Sequence, residues 1–162
     1  MADSSFDVVS DFDQQELVNA LDQVRREIGT RYDFKGSKAS LELGKDAITL
    51  IADDEYRAQA VKDLVQSKAV RRGLSLKIFD WGKIEPAAGG TVRQNVALKR
   101  GLTPEQAKEL SKMIREQFPK VKPTVQGDVV RVSGKSKDDL QGAIQHLRDL
   151  EYPVALQFEN YR

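Results

Sequence analysis

Gly134-Lys135-Ser136 has the ending of a phosphate-binding loop without its beginning. A Walker A loop wraps phosphates with consecutive backbone N–H groups and needs a glycine five residues before its Gly-Lys-Ser. Here that position is Val129, inside the alternating run Asp128-Val129-Val130-Arg131-Val132-Ser133, which reads as a strand. The tract Gln126–Gln141 is therefore strand, turn and helix. Ser136 and Asp139 have the spacing of a helix cap. Two uses remain open: a capped helix start and nothing more, or an anion site made by that helix N-terminus together with Arg131 and Lys135.

A second group with binding chemistry is Arg31-Tyr32-Asp33-Phe34-Lys35-Gly36. An arginine can take guanine O6 and N7 bidentately, a carboxylate can accept from guanine donors, and an aromatic can stack on the base. The other reading has Tyr32 and Phe34 plugging the core while Arg31 and Asp33 pair locally, with Lys35 undecided. Polar and basic residues also recur on faces opposite apolar ones: Arg93, Asn95 and Lys99 on one strand, and Lys77 and Arg131 elsewhere. Near the C-terminus, Tyr161 stands beside Arg162. Such residues fit phosphate contacts. Stacking aromatics of the RNA-recognition-motif type are missing from Asp128–Ser133.

Catalytic material is sparse. There is no cysteine and a single histidine, His146, which the helical spacing places off the apolar stripe, solvated. A Cys/His dyad or a histidine-based metal site therefore cannot be assembled within one chain. Most carboxylates, such as Asp13, Asp54 and Asp138, stand at expected helix starts, where they oppose the helix dipole. The expectation is a protein that is not an enzyme and has neither metal nor cofactor.

The elements that must position these residues follow one order twice. A strand at 5–10, a helix at 13–30, strands around Ala39–Leu43 and Ile48–Ala52, a helix at 54–70 and a strand at Leu74–Ile78 give βαββαβ. A strand at 91–100, a helix from Thr103 to Phe118, a hairpin at 121–133, a helix at 136–150 and a strand at 154–159 give it again. Gly82–Gly90, GKIEPAAGG, has the composition of a linker. The predicted class is α+β, a tandem duplication of the ferredoxin-like sandwich, a four-stranded antiparallel sheet with helices on one face.

Composition adds bounds. The chain has 162 residues, enough for two small cores. Its first fifteen residues lack a basic and apolar leader, and no apolar run approaches the ~18 residues a span requires. A cytoplasmic protein that does not enter membranes is expected. Residues 1–90 carry 13 Lys+Arg against 16 Asp+Glu, and residues 91–162 carry 13 against 9. The basic second half hints at an anionic partner.

Ser5–Ser10, Arg31-Tyr32-Asp33-Phe34, Leu98-Lys99-Arg100-Gly101, Gln126–Gln141 and the end Gln157-Phe158 to Tyr161-Arg162 together resemble the YajQ family of bacterial proteins, over essentially the whole chain. The resemblance implies that the two ferredoxin-like domains exchange their first strands. Residues 11–81 would take strand 91–100, and residues 101–162 would take 1–10, with 82–90 as linker. Arg93 and Lys99 would then lie near Arg31–Lys35. It further implies binding of a nucleotide second messenger, cyclic di-GMP or another guanine nucleotide, by an effector acting on a transcription regulator. RNA or tRNA, or a partner protein without any nucleotide, are the competing ligands. The expected nucleotide-binding residues are Arg31, Asp33, Phe34, Lys35, Arg93, Lys99, Arg131, Lys135 and Tyr161. The oligomeric state stays open.

Overall fold

A computed structural model describes residues 3–162; the first two residues of the N-terminal stretch considered above lie outside it. The protein is α+β, with two four-stranded antiparallel sheets and four α-helices. In chain order these are β1 (Ser4–Val9), α1 (Gln14–Thr30), β2 (Ser40–Leu43), β3 (Ala47–Ala52), α2 (Glu55–Arg71), β4 (Phe79–Pro86), β5 (Val92–Leu98), α3 (Pro104–Gln117), β6 (Lys122–Gln126), β7 (Val129–Gly134), α4 (Lys137–Asp149) and β8 (Gln157–Glu159). Each helix starts where the sequence offers an oxygen to its unpaired N–H groups. The caps are Asp13, Asp54, Thr103 and Ser136. Thr103 and Gln106 close a reciprocal capping box with Pro104 at the first helical position.

The chain folds into two compact units, one joining the described residues up to Asp11 to Arg100–Arg162, the other formed by Phe12–Lys99. In the first unit the strand order is β6-β7-β1-β8, and in the second it is β2-β3-β5-β4. Strand β1 therefore pairs only with strands from the far end of the sequence, Phe6 opposite Val132 and Val8 opposite both Val130 and Phe158. Phe6 and Val8 are fully buried beneath α3 and α4, together with Leu110, Ile114, Leu140 and Leu147. The chain leaves this unit after Asp11 and re-enters at Arg100. The Gly101 N–H donates to the Ser10 carbonyl at 2.6 Å, and the Arg100 Nε lies 3.3 Å from the Asp11 carboxylate. Gly101 has φ +84°, a left-handed conformation that favours glycine, and a Cβ there would displace the tip of the Asp128 carboxylate, 2.7 Å away.

Two expectations change. The strand expected at Leu74–Ile78 is a 3-10 turn at Leu76–Ile78. The presumed linker Gly82–Gly90 is mostly strand: β4 runs through Pro86, pairs with β5 and returns through a tight turn at Ala88–Gly90. Its glycine is there for proximity. A Cβ on Gly82 would sit 2.6 Å from the Asn95 carbonyl, at a β-bulge between Trp81 and Ile84, and the buried Gln94 amide donates to the Gly82 carbonyl at 2.8 Å. Pro86 ends an edge strand, where a missing N–H costs no ladder bond.

The first unit's sheet closes with a second bulge. Glu159 pairs with Asp7, and Arg162 exchanges both backbone hydrogen bonds with Ser5, leaving Asn160 and Tyr161 opposite Phe6 alone. Asn160 takes the left-handed φ of 54° that this requires, and its side-chain amide donates to Asp7 Oδ2 at 2.8 Å. Arg131 Nε donates to the other Asp7 oxygen at 3.0 Å. Asp7 is only 4% exposed although it faces away from the helices. The Arg131 guanidinium holds its carboxyl below the usual carboxylate range; burial opposes this, and Asn160 and the charge of Arg162 assist.

Gly82→Ala is expected to lower stability by about 1–3 kcal/mol, the ordinary cost of overpacking, in chemical denaturation. Asp7→Asn is expected to cost about 1–3 kcal/mol at pH 7 through weakened charge-assisted hydrogen bonds. A depressed native pKa means this contribution is present above the unfolded carboxylate value of ~3.9 and is lost as pH falls through the native value. Denaturation of both proteins at pH 7 and at about pH 3 checks this, because the gap between them should shrink in acid.

Candidate functional site

The expected binding residues fall into separate places. At the end of α1, Arg31 Nε and Nη2 clamp both Asp33 oxygens at 2.9 and 2.7 Å. The pair raises the arginine's pKa and lowers the aspartate's, each chiefly through this hydrogen bonding. The guanidinium also lies 5.5 Å above the Phe34 ring. Phe34 is buried at 4% exposure, so it packs in the core and offers no face to a base; Tyr32, expected inside, is 89% exposed. Lys35 follows in the open, its N–H closing the 3-10 turn on the Tyr32 carbonyl.

Arg93 stands on the opposite side of this unit's sheet. It pairs across β3 with Ile51, on the face turned away from α1 and α2, and its guanidinium is 3.8 Å from Glu85 on β4. The sheet thus separates Arg93 from the helix layer that holds Arg31, and the expected meeting of the two groups does not occur. Lys99 lies past the end of β5, its N–H bonded to the Ile78 carbonyl.

In the first unit, Arg131 is on the helix-free face and already holds Asp7. Tyr161 is in the terminal bulge, 43% exposed. Lys135 occupies the turn between β7 and α4, where the structure adds two cations that the sequence reading did not pick out. Lys120 precedes β6 and Lys122 opens it, paired with Ser133 of β7. With Ser133, Gly134, Lys135 and Ser136 they line a groove of about 620 Å³, to which Asp3, Asp138 and Asp139 add carboxylates. That volume lies within the range of ligand-sized pockets, ~300–1,000 Å³. The signal in the sequence was the pair of lysines flanking Val121, which is buried while Lys120 and Lys122 on either side of it are exposed.

The floor of the groove follows from local geometry. Gly134 ends β7 facing inward, where a Cβ would press to 3.3 Å from Val121, so the backbone of the turn stays bare. Ser136 caps α4 by accepting from the Asp139 N–H at 3.3 Å. The remaining first-turn N–H groups of a helix have no partner within it and carry its positive end. Two of the three carboxylates, Asp138 and Asp139, sit on that same first turn and soften its field. The groove can hold an anion through lysine ammoniums, serine hydroxyls and backbone N–H groups. It cannot wrap a triphosphate as a Walker loop does, because Val129 is in β7 and only Lys135 and Ser136 separate strand from helix.

The helix-free faces mix polar and small or aliphatic residues and lack a stacking platform on their central strands. Central strands β1 and β7 present Ser5, Asp7, Val9, Val129, Arg131 and Ser133 there, and β3 and β5 present Ala47, Thr49, Ile51, Arg93, Asn95 and Ala97. None is aromatic. His146, expected in solvent, is half-buried edge-on to Phe118 at 5.6 Å. Among the described residues no group of three or more His, Cys, Asp or Glu is placed to hold a metal ion. No helix there is long and apolar enough to cross a membrane.

Comparison with known proteins gives one consistent answer. The family model described as "Nucleotide-binding protein YajQ-like" matches residues 4–162. A curated protein of Synechococcus elongatus, named a nucleotide-binding protein, is 59% identical over 159 residues, covering 98% of both chains. One of Trichodesmium erythraeum with the same name is 55% identical over 98% of both. Another, of Chloroflexus aurantiacus, is 56% identical over 163 residues and 99% of both. A match that takes in β1, both sheets and the terminal bulge, with relatives this similar along their whole length, means that the chain belongs to the YajQ-like family.

Proposed function

We propose that this protein binds a nucleotide without turning it over, and that the phosphates lie in the groove of Lys120, Lys122 and Lys135 at the N-terminus of α4. The observation that carries this reading is the convergence of those three lysines on a ligand-sized groove floored by a bare glycine and a helix start. The names of the relatives support the ligand class. Cyclic di-GMP is the nucleotide proposed, since two phosphates suit lysines on both sides of the groove, and Arg131 lies two residues along β7 from its rim. The protein would act as an effector whose occupancy is read by a partner such as a transcription regulator. The two sheets share one strand order in which β1 and β5, the first strands of the two sequence repeats, take equivalent central places, each among strands of the other repeat, and this supports a duplicated ferredoxin-like unit with exchanged first strands as the origin of the fold.

The Arg31–Asp33 pair is left outside this site, because the clamp uses the groups that would read guanine. RNA over the helix-free faces is disfavoured by the lack of aromatics on their central strands.

Calorimetric titration with cyclic di-GMP, GTP and a tRNA at two salt concentrations tests the proposal. Cyclic di-GMP should bind with weak salt dependence, and tRNA, if it bound, would weaken steeply as several counterions were released. Lys122→Ala and Lys135→Ala should each weaken cyclic di-GMP by about tenfold, one charge-assisted contact apiece, while Arg31→Ala leaves it unchanged. No heat at high micromolar nucleotide would sink the ligand assignment. Binding that survives both lysine variants but not Arg31→Ala would move the site to the end of α1.

A further inference from the structure

Helix α2 presents a second side chain stripe away from its own core. Its buried residues are Ala58, Val61, Leu64, Val65 and Ala69. Tyr56, Ala60, Asp63, Ser67 and Val70 follow one another at steps of four, three, four and three, the spacing of a helix-docking seam. Tyr56, Asp63, Ser67 and Val70 are exposed, Tyr56 at 75% and Val70 at 56%, and Ala60 between them is partly buried. The groove along this stripe, about 440 Å³, is lined by Arg31 and Asp33 at one end and by Tyr56, Ala60, Asp63 and Ser67 along its length. Among the described residues, no other α-helix exposes a large hydrophobic side chain. The outward positions of α3 and α4 are mostly charged or amide residues, Lys108, Lys112, Gln141 and Gln145 among them.

Each position has a plain role in docking a helix. Small residues at Ala60 and Ser67 permit close approach of a second helix axis, and Tyr56 and Val70 supply apolar contact at the two ends. Asp63 stands at the middle. Among the described residues it makes no ion pair or hydrogen bond, although Arg25, Arg31, Arg57 and Lys68 in the same unit are all paired.

Charge then selects the occupant. The stripe is nearly symmetric about Asp63, so a second copy docked antiparallel through α2 would bring two Asp63 carboxylates together, which costs rather than gains. A helix with lysine or arginine at the centre of its apolar stripe meets an unpaired carboxylate instead. We infer that the outer face of α2 docks an amphipathic helix of a partner protein, with a basic side chain set against Asp63. This goes beyond nucleotide binding and uses none of the groove at α4.

Two fluorescein-labelled helical peptides of alanine, leucine and glutamine, identical except for lysine or glutamate at the centre of the apolar stripe, are the probes. Titrated with the full-length protein, the lysine peptide should bind saturably and at least about tenfold more tightly than its glutamate twin. Asp63→Lys should invert that preference. Ser67→Trp, folded by circular dichroism, should abolish binding of both, and Lys135→Ala should change neither. Absence of saturable binding overturns the inference, as does a preference that Asp63→Lys leaves unchanged. Self-association removed by Tyr56→Asp would overturn it in favour of a second copy.

Discussion

Strand β1 brings Phe6 and Val8 into a core whose other buried members all lie at Leu102 or beyond. Fully burying two such side chains contributes about 1.5–3 kcal/mol each, and the strand also completes the ladder between β7 and β8. The first unit is therefore incomplete until the chain has returned from an excursion of almost ninety residues. Phe12–Lys99, by contrast, is contiguous, and its pairings of β2 with β3 and β4 with β5 are local. Loop closure makes distant pairing the slower event. The second unit can fold first and shorten the effective loop whose ends meet at Ser10 and Gly101. Asp7 then serves as a check on register: only one alignment of β1 sets its carboxylate between Arg131 and Asn160, and a one-residue slip would turn it toward the apolar helices.

The same excursion reverses an inference from composition. Split at the middle of the sequence, the second half is basic; divided as the chain folds, the unit containing Arg100–Arg162 has 11 Lys+Arg against 12 Asp+Glu, and Phe12–Lys99 has 15 against 13. The surplus that hinted at an anionic partner disappears once Asp3, Asp7 and Asp11 join the later residues and Arg93 and Lys99 leave them. Anion binding, if it resides in the first unit, has to come from local arrangement, which is what the lysines around Gly134 provide.

Local rules were readable where one residue decides the outcome. The capping oxygens of Asp13, Asp54, Thr103 and Ser136 set the helix starts to within a residue, and alternation separated Val130 and Val132 from Arg131. They failed where a residue serves a distant neighbour. Gly82 and Pro86 have linker composition, yet Gly82 is small because the Asn95 carbonyl is close, and Pro86 is harmless because β4 is an edge. Phe34 and Tyr32 are two residues apart in one turn, and nothing local says which faces inward; the core took Phe34 and Arg31 covered it. Lys120 and Lys122 were passed over for a similar reason, since their partner Lys135 is a strand and a turn away.

Single exposed apolar residues are normal on any protein surface, so exposure alone makes no case for α2 as a docking face. Register makes it. The inward residues of α1, α3 and α4 form one apolar stripe backed by polar side chains, as a helix with one buried face requires. Helix α2 is markedly less amphipathic than these three, because apolar and small residues return on its outer side in phase with the helix. Folding of the second unit makes no use of that outer pattern: the core is closed by Val61, Leu64 and Val65, and Tyr56 and Val70 contribute little to it. A pattern periodic at helical spacing, idle in the fold, and centred on an unpaired carboxylate is best explained by a second helix, supplied from outside the chain and carrying the opposite charge.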